Sequence, residues 1–106
     1  MPSELTPVEL RSQWDQGCEP FVLDVRESWE LKIARLNPVV HIPMDQIPER
    51  LGELPRSGPI VVMCRSGGRS MQVARFLERN GFTEVANLCG GILAWHEQVD
   101  SSIATY

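Results

Sequence analysis

Pro59-Ile60-Val61-Val62-Met63 runs into Cys64-Arg65-Ser66-Gly67-Gly68-Arg69-Ser70 and then into Met71-Gln72-Val73-Ala74-Arg75-Phe76-Leu77. This is the pattern of a buried strand, a glycine-rich turn and an amphipathic helix, with a thiol at the junction. Gly67 and Gly68 let the backbone curl so that successive N–H groups face inward and accept an anion. The helix beyond presents its positive end to the same place. Arg65 and Arg69 act in the same sense. Cys64 is therefore expected to be a low-pKa nucleophile rather than an inert core cysteine.

Upstream, Thr6-Pro7-Val8-Glu9 reads as a helix start, with Thr6 as cap, Pro7 at the first helical position and Glu9 completing a capping box. Leu10 and Trp14 share a face of that helix. Phe21-Val22-Leu23-Asp24-Val25 has the near-continuous apolar character of a strand buried on both faces. A helix is expected from Ser28 to Leu36, stopped by Asn37-Pro38, followed by a short strand at Val39–Ile42. Another short helix is expected within 43–54, where Ile47, Leu51 and Leu54 share a face. Downstream of the central helix, Gly81 terminates it and Thr83–Leu88 forms a strand. Gly90-Gly91 opens a last helix through Trp95, and the polar tail from Asp100 is expected to fray.

Strands alternating with helices in this way imply an α/β fold with a mostly parallel sheet of about five strands, covered by helices on both faces. Ligands of such sheets bind beyond the carboxyl ends of the strands. Asp24 and Cys64 each lie at such an end, so one site can hold both. The 106 residues are expected to form one domain over 1–106, and the formal charge of −4 gives no general attraction for nucleic acid or an anionic membrane. The first residues carry no basic segment followed by an apolar one, so a cytoplasmic location is the expectation. Cys18, Cys64 and Cys89 form an odd set without CxxC spacing, which favours neither a disulfide framework nor a structural metal. No metal or cofactor is expected, and His41 and His96 are too isolated to serve as a base.

Four segments make the chain resemble the rhodanese family in its small form. They are Asp24-Val25-Arg26-Glu27 with Trp29-Glu30, Ile42-Pro43-Met44 with Pro48-Glu49-Arg50-Leu51, Cys64 to Ser70, and Leu88-Cys89-Gly90-Gly91-Ile92-Leu93-Ala94-Trp95. Their order and spacing over almost the whole length carry the resemblance. It implies a sulfurtransferase whose cysteine takes a sulfane sulfur from a donor such as thiosulfate, becomes a persulfide, and passes the sulfur to cyanide, a thiol or a protein acceptor. By the same resemblance Asp24 and Arg26 lie near the loop and fix its support. The chain departs from the family pattern at Ala34-Arg35-Leu36-Asn37-Pro38-Val39, where a His followed by Pro-Gly-Ala is usual. Cys89 also stands where a charged or polar residue is common, and a Cys89 within reach of Cys64 would resolve the persulfide into a disulfide.

Bland readings compete at each residue. Asp24 either caps the segment after it or orients the site, Arg69 braces the loop or meets the anion, and Arg65 contacts substrate at the entrance or is plain surface charge. Ser66 and Ser70 offer hydroxyl groups, with Ser70 expected to cap the helix. Trp14, Met71 and Trp95 read as packing, and Cys18 as a bystander. A cysteine-dependent phosphatase or arsenate reductase places its arginine six residues after the cysteine, whereas here that position is Ser70 and Arg69 stands at five. A binding module of the same fold, or a relay subunit serving only a protein partner, is the other alternative.

Overall fold

Side chains alternate along a strand, and in the central run Ile60 and Val62 point to one face while Val61 and Met63 point to the other. A computed structural model describing residues 1–106 shows what lies on each side. Five parallel strands, β1 (Ser3–Leu5), β2 (Phe21–Asp24), β3 (Val40–His41), β4 (Ile60–Met63) and β5 (Val85–Leu88), form one sheet in the order β1-β5-β4-β2-β3. Four helices, α1 (Pro7–Asp15), α2 (Ser28–Ile33), α3 (Gly68–Arg79) and α4 (Gly91–Gln98), connect and cover it.

Two apolar cores follow from the alternation. Leu23, Val25, Ile60 and Val62 pack with Val73, Ala74 and Leu77 of α3, and the same parity puts Cys64 in this core. Val22, Val61 and Met63 pack on the opposite face with Leu10 of α1 and with Ile92 and Trp95 of α4. Trp14 lies against Trp95, ring centroids 5.2 Å apart. The capping box of α1 forms as the sequence predicts, with Thr6 Oγ1 accepting from Glu9 N and Glu9 Oε1 accepting from Thr6 N.

Several expectations need correction. The second helix ends at Ile33 rather than Leu36, because Ala34 is already extended backbone. Residues 43–54 hold two 3-10 turns, Met44–Gln46 and Leu51–Glu53, instead of one helix. Pro48 lies between them and has no N–H with which to continue a helical ladder. Strand β1 lies at the sheet edge and pairs with β5. The central helix starts at Gly68, so Ser70 is its third residue and Gly67 caps it. The tail is not frayed: Ile103 and Tyr106 pack on the α4-side core, and Tyr106 is tied into the site described next.

No helix is long and apolar enough to cross a membrane.

Candidate active site

Beyond the last residue of β4, Cys64 is almost fully enclosed, 1% exposed. Its sulfur faces the amino end of α3. Gly67 N donates to Sγ at 3.1 Å and Ser70 N at 3.4 Å, and Ser70 Oγ lies 3.3 Å away. Burial alone would push the thiol up. The Ser70 hydroxyl and the N–H groups of Ser70, Gly67 and Ser66 outweigh it and leave the pKa below the ordinary thiol value.

Only one of the two loop glycines is required by conformation. Gly67 has φ +105°, in the region that L side chains avoid, and a Cβ there would lie 3.3 Å from Gly90 N. Gly68 is an ordinary helical residue with open space around its Cα. The loop is held from behind by α4, whose first N–H groups need acceptors outside the helix. Ile92 N donates to Cys64 O at 3.0 Å and Leu93 N to Arg65 O at 3.1 Å.

Arg69 is a brace. Its Nη1 and Nη2 donate to the two carboxylate oxygens of Glu30 on α2, both at 2.8 Å. Glu30 is enclosed, and it also accepts from Glu27 N and from the Tyr106 hydroxyl. Arg69 is the main cause of holding the Glu30 carboxyl at about 2, against the opposing effect of burial. A carboxyl depressed in the folded state contributes stability that is complete above its ordinary value near 4.5 and is lost as pH falls through about 2. Arg69→Ala is accordingly expected to lower stability at neutral pH by about 1–3 kcal/mol. It should also move the acid-unfolding midpoint upward, a shift that urea melts across the acid range would read.

Arg65 and the tail meet at the rim. The Arg65 guanidinium lies over the Tyr106 ring and donates through Nε and Nη2 to the Tyr106 main-chain oxygen. Asp24 and Arg26 form a fully buried ion pair, with Arg26 Nη2 2.8 Å from Asp24 Oδ2. The capping reading of Asp24 is met locally, since its Oδ1 also accepts from Arg26 N. Arg26 also donates to Ala34 O and to the Tyr106 hydroxyl, which links β2, α2 and the tail.

The fold thus brings together Asp24, Arg26 and the whole 64–70 loop. It leaves Cys18 exposed and apart. Cys89 is exposed too, and hydrogen bonding to the Glu4 carboxylate raises its pKa, which makes it a poor attacking thiol at neutral pH. The largest surface hollow, about 380 Å³, lies at the amino ends of the strands beside Ser3, Ile60 and Val85, away from Cys64.

The model of the rhodanese-like domain matches residues 6–98. The chain belongs to the rhodanese family. Its relatives include the putative sulfurtransferase YtwF of Bacillus subtilis, 37% identical over 92 residues, which are 87% of this chain and 88% of that protein. A sulfurtransferase of Allochromatium vinosum is 33% identical over 95 residues, covering 90% and 89% of the two chains. The crystal structure of a rhodanese-like domain protein from Staphylococcus aureus superposes with a TM-score of 0.85 at 29% identity, over 100% of this chain and 99% of that one. This rhodanese domain carries three polar residues at its site that sequence reasoning assigned no role: Glu30, Asn87 and Tyr106. Glu30 stood inside a recognised segment, but nothing local distinguishes it from a solvated helix carboxylate. Asn87 gave one faint signal, a polar residue amid the apolar run Val85-Ala86-Asn87-Leu88.

Proposed function

We propose that this rhodanese is a sulfurtransferase working through a persulfide on Cys64, with thiosulfate as a competent donor and cyanide or a thiol as acceptor. The observation that carries the reading is the cradle of N–H groups around Cys64 Sγ at the amino end of α3. The Cys64 thiolate attacks the outer sulfur of thiosulfate, the sulfur–sulfur bond of the donor breaks, and its electron pair leaves with sulfite. The acceptor then attacks the outer sulfur of the persulfide, the bond to Cys64 breaks, and the thiolate is restored. In each half an anionic sulfur lies within reach of fixed dipoles, which lowers the barrier without a general base.

In this reading Cys64 is the nucleophile, and the N–H groups of Arg65, Ser66, Gly67, Gly68, Arg69 and Ser70 make up the anion loop. Arg69 holds the loop to α2 through Glu30, and the Asp24–Arg26 pair supports it from β2. Arg65 stands at the entrance, where an incoming anion shares its guanidinium with the Tyr106 oxygen. The phosphatase reading is disfavoured because Arg69 stands five residues after Cys64 rather than six, and its guanidinium fork already grips a carboxylate, with both terminal nitrogens donating to Glu30.

Intact-mass analysis after thiosulfate treatment tests the proposal. A gain of one sulfur atom, lost on adding cyanide, is the expected result. A gain only with polysulfide or glutathione persulfide would keep the persulfide and replace the donor, and no gain with any of them would overturn the reading.

A further inference from the structure

Behind Cys64 lies a buried polar chain in which the number of hydrogens is smaller than the number of contacts. The Ser70 hydroxyl is fully enclosed, 2.5 Å from Asn87 Oδ1 and 3.3 Å from Cys64 Sγ. Asn87 cannot turn over to offer a donor instead. Its Nδ2 donates to Glu4 Oε1 at 2.9 Å and to Gly67 O at 3.2 Å, both of which only accept, so Oδ1 is held facing Ser70. One hydroxyl carries one proton, and two acceptors claim it.

We propose that Asn87 restrains the ionisation of Cys64 by competing with its sulfur for the single hydroxyl proton of Ser70. With a neutral thiol every group is satisfied: the S–H points to Ser70 Oγ, and the hydroxyl points to Asn87 Oδ1. With a thiolate, Ser70 turns its proton to the sulfur and leaves the buried Asn87 oxygen without a partner, a costly state for an amide. Asn87 is thus a positioning residue acting through Ser70. It balances the N–H groups of Gly67 and Ser70, which favour the charge. The charged groups around the sulfur are Arg69 of α3 with Glu30 of α2, Arg65 in the loop and the Asp24–Arg26 pair at the end of β2. Glu4 of β1 and the Cys89 thiol stand at the far end of the polar chain.

The inference rests on Cys64 as the nucleophile of the proposed function, but its test needs no sulfur donor. Site-resolved alkylation by iodoacetamide, followed across pH by peptide mass, reports Cys64 apart from Cys18 and Cys89. Asn87→Val is expected to lower the Cys64 midpoint by about one pH unit, so that alkylation well below it runs about tenfold faster. Ser70→Ala should raise the midpoint, and adding Asn87→Val to Ser70→Ala should move it no further. An unmoved or raised midpoint in Asn87→Val, or the same drop without the Ser70 hydroxyl, would overturn the proposal. Should Asn87→Val not fold, Glu4→Ala at the exposed edge removes one of the two acceptors that fix the amide and loosens its hold on the Ser70 hydroxyl. It should lower the midpoint only while Ser70 is present, and a shift that persists in Ser70→Ala would count against the inference.

Discussion

Cys64→Ser is expected to take up no sulfur from any donor and to lower sulfur transfer by on the order of 10³-fold or more, while leaving the fold as stable as the parent within about 1 kcal/mol. The change exchanges one atom in a pocket that already supplies Gly67 N and Ser70 N as donors, so the new hydroxyl finds partners and no cavity opens. Chemistry suffers far more than packing. A serine hydroxyl stays protonated in a cradle that only tilts the balance for a thiol, and no base stands within reach to take its proton. The two remaining cysteines offer no substitute: Cys18 and Cys89 are exposed, without the enclosing N–H groups, and the Cys89 thiol is pushed up by Glu4. Intact mass after thiosulfate or polysulfide treatment, beside a denaturant melt, separates the two effects. A Cys64→Ser protein that still gains a cyanide-labile sulfur would place the chemistry on another residue.

What could be read from the chain follows a physical divide. Strands β2 and β4 were legible because both are buried on two faces and so are written as apolar runs, and α1 because its capping box is a local signal spanning four residues. Strand β1 escaped notice for the converse reason. It is a three-residue edge strand with two exposed positions, held by pairing to β5 rather than by its own pattern. The loop around Cys64 was legible for the same reason as α1, since glycines, arginines and the thiol are neighbours in sequence. Its supports were not. Glu30 reaches Arg69 across 39 positions and Tyr106 across 76, and each looks locally like an ordinary surface residue. The tail illustrates the limit well: a polar composition suggested fraying, whereas the Tyr106 hydroxyl is fixed between a buried arginine and an enclosed glutamate.

Gly91 shows the same divide within one residue, and Gly91→Ala is expected to be the most damaging substitution for the fold. Gly90-Gly91 announces a helix start in the sequence, but not what lies against it. In the structure Gly91 has φ +61°, and a Cβ there would stand 2.4 Å from Cys64 O and 2.5 Å from Arg65 O. Those are rigid backbone atoms, and the same two carbonyls accept from Ile92 N and Leu93 N. Relief therefore requires α4 to retreat from the loop, breaking both hydrogen bonds, or the loop to shift and spoil the alignment of its N–H groups on the sulfur. The left-handed backbone and the overlap together are expected to cost about 2–5 kcal/mol, a large part of the stability of a domain of this size. Gly52→Ala is the matched control, because nothing lies within 4 Å of a Cβ at that position and its φ is not in the left-handed region. Denaturant melts should show a large loss for Gly91→Ala and almost none for Gly52→Ala. The folded fraction of Gly91→Ala, assayed alone, should also transfer sulfur at least about tenfold more slowly. Parent-like melts and transfer in Gly91→Ala would mean that the contact between α4 and the Cys64 loop does not hold the nucleophile in place.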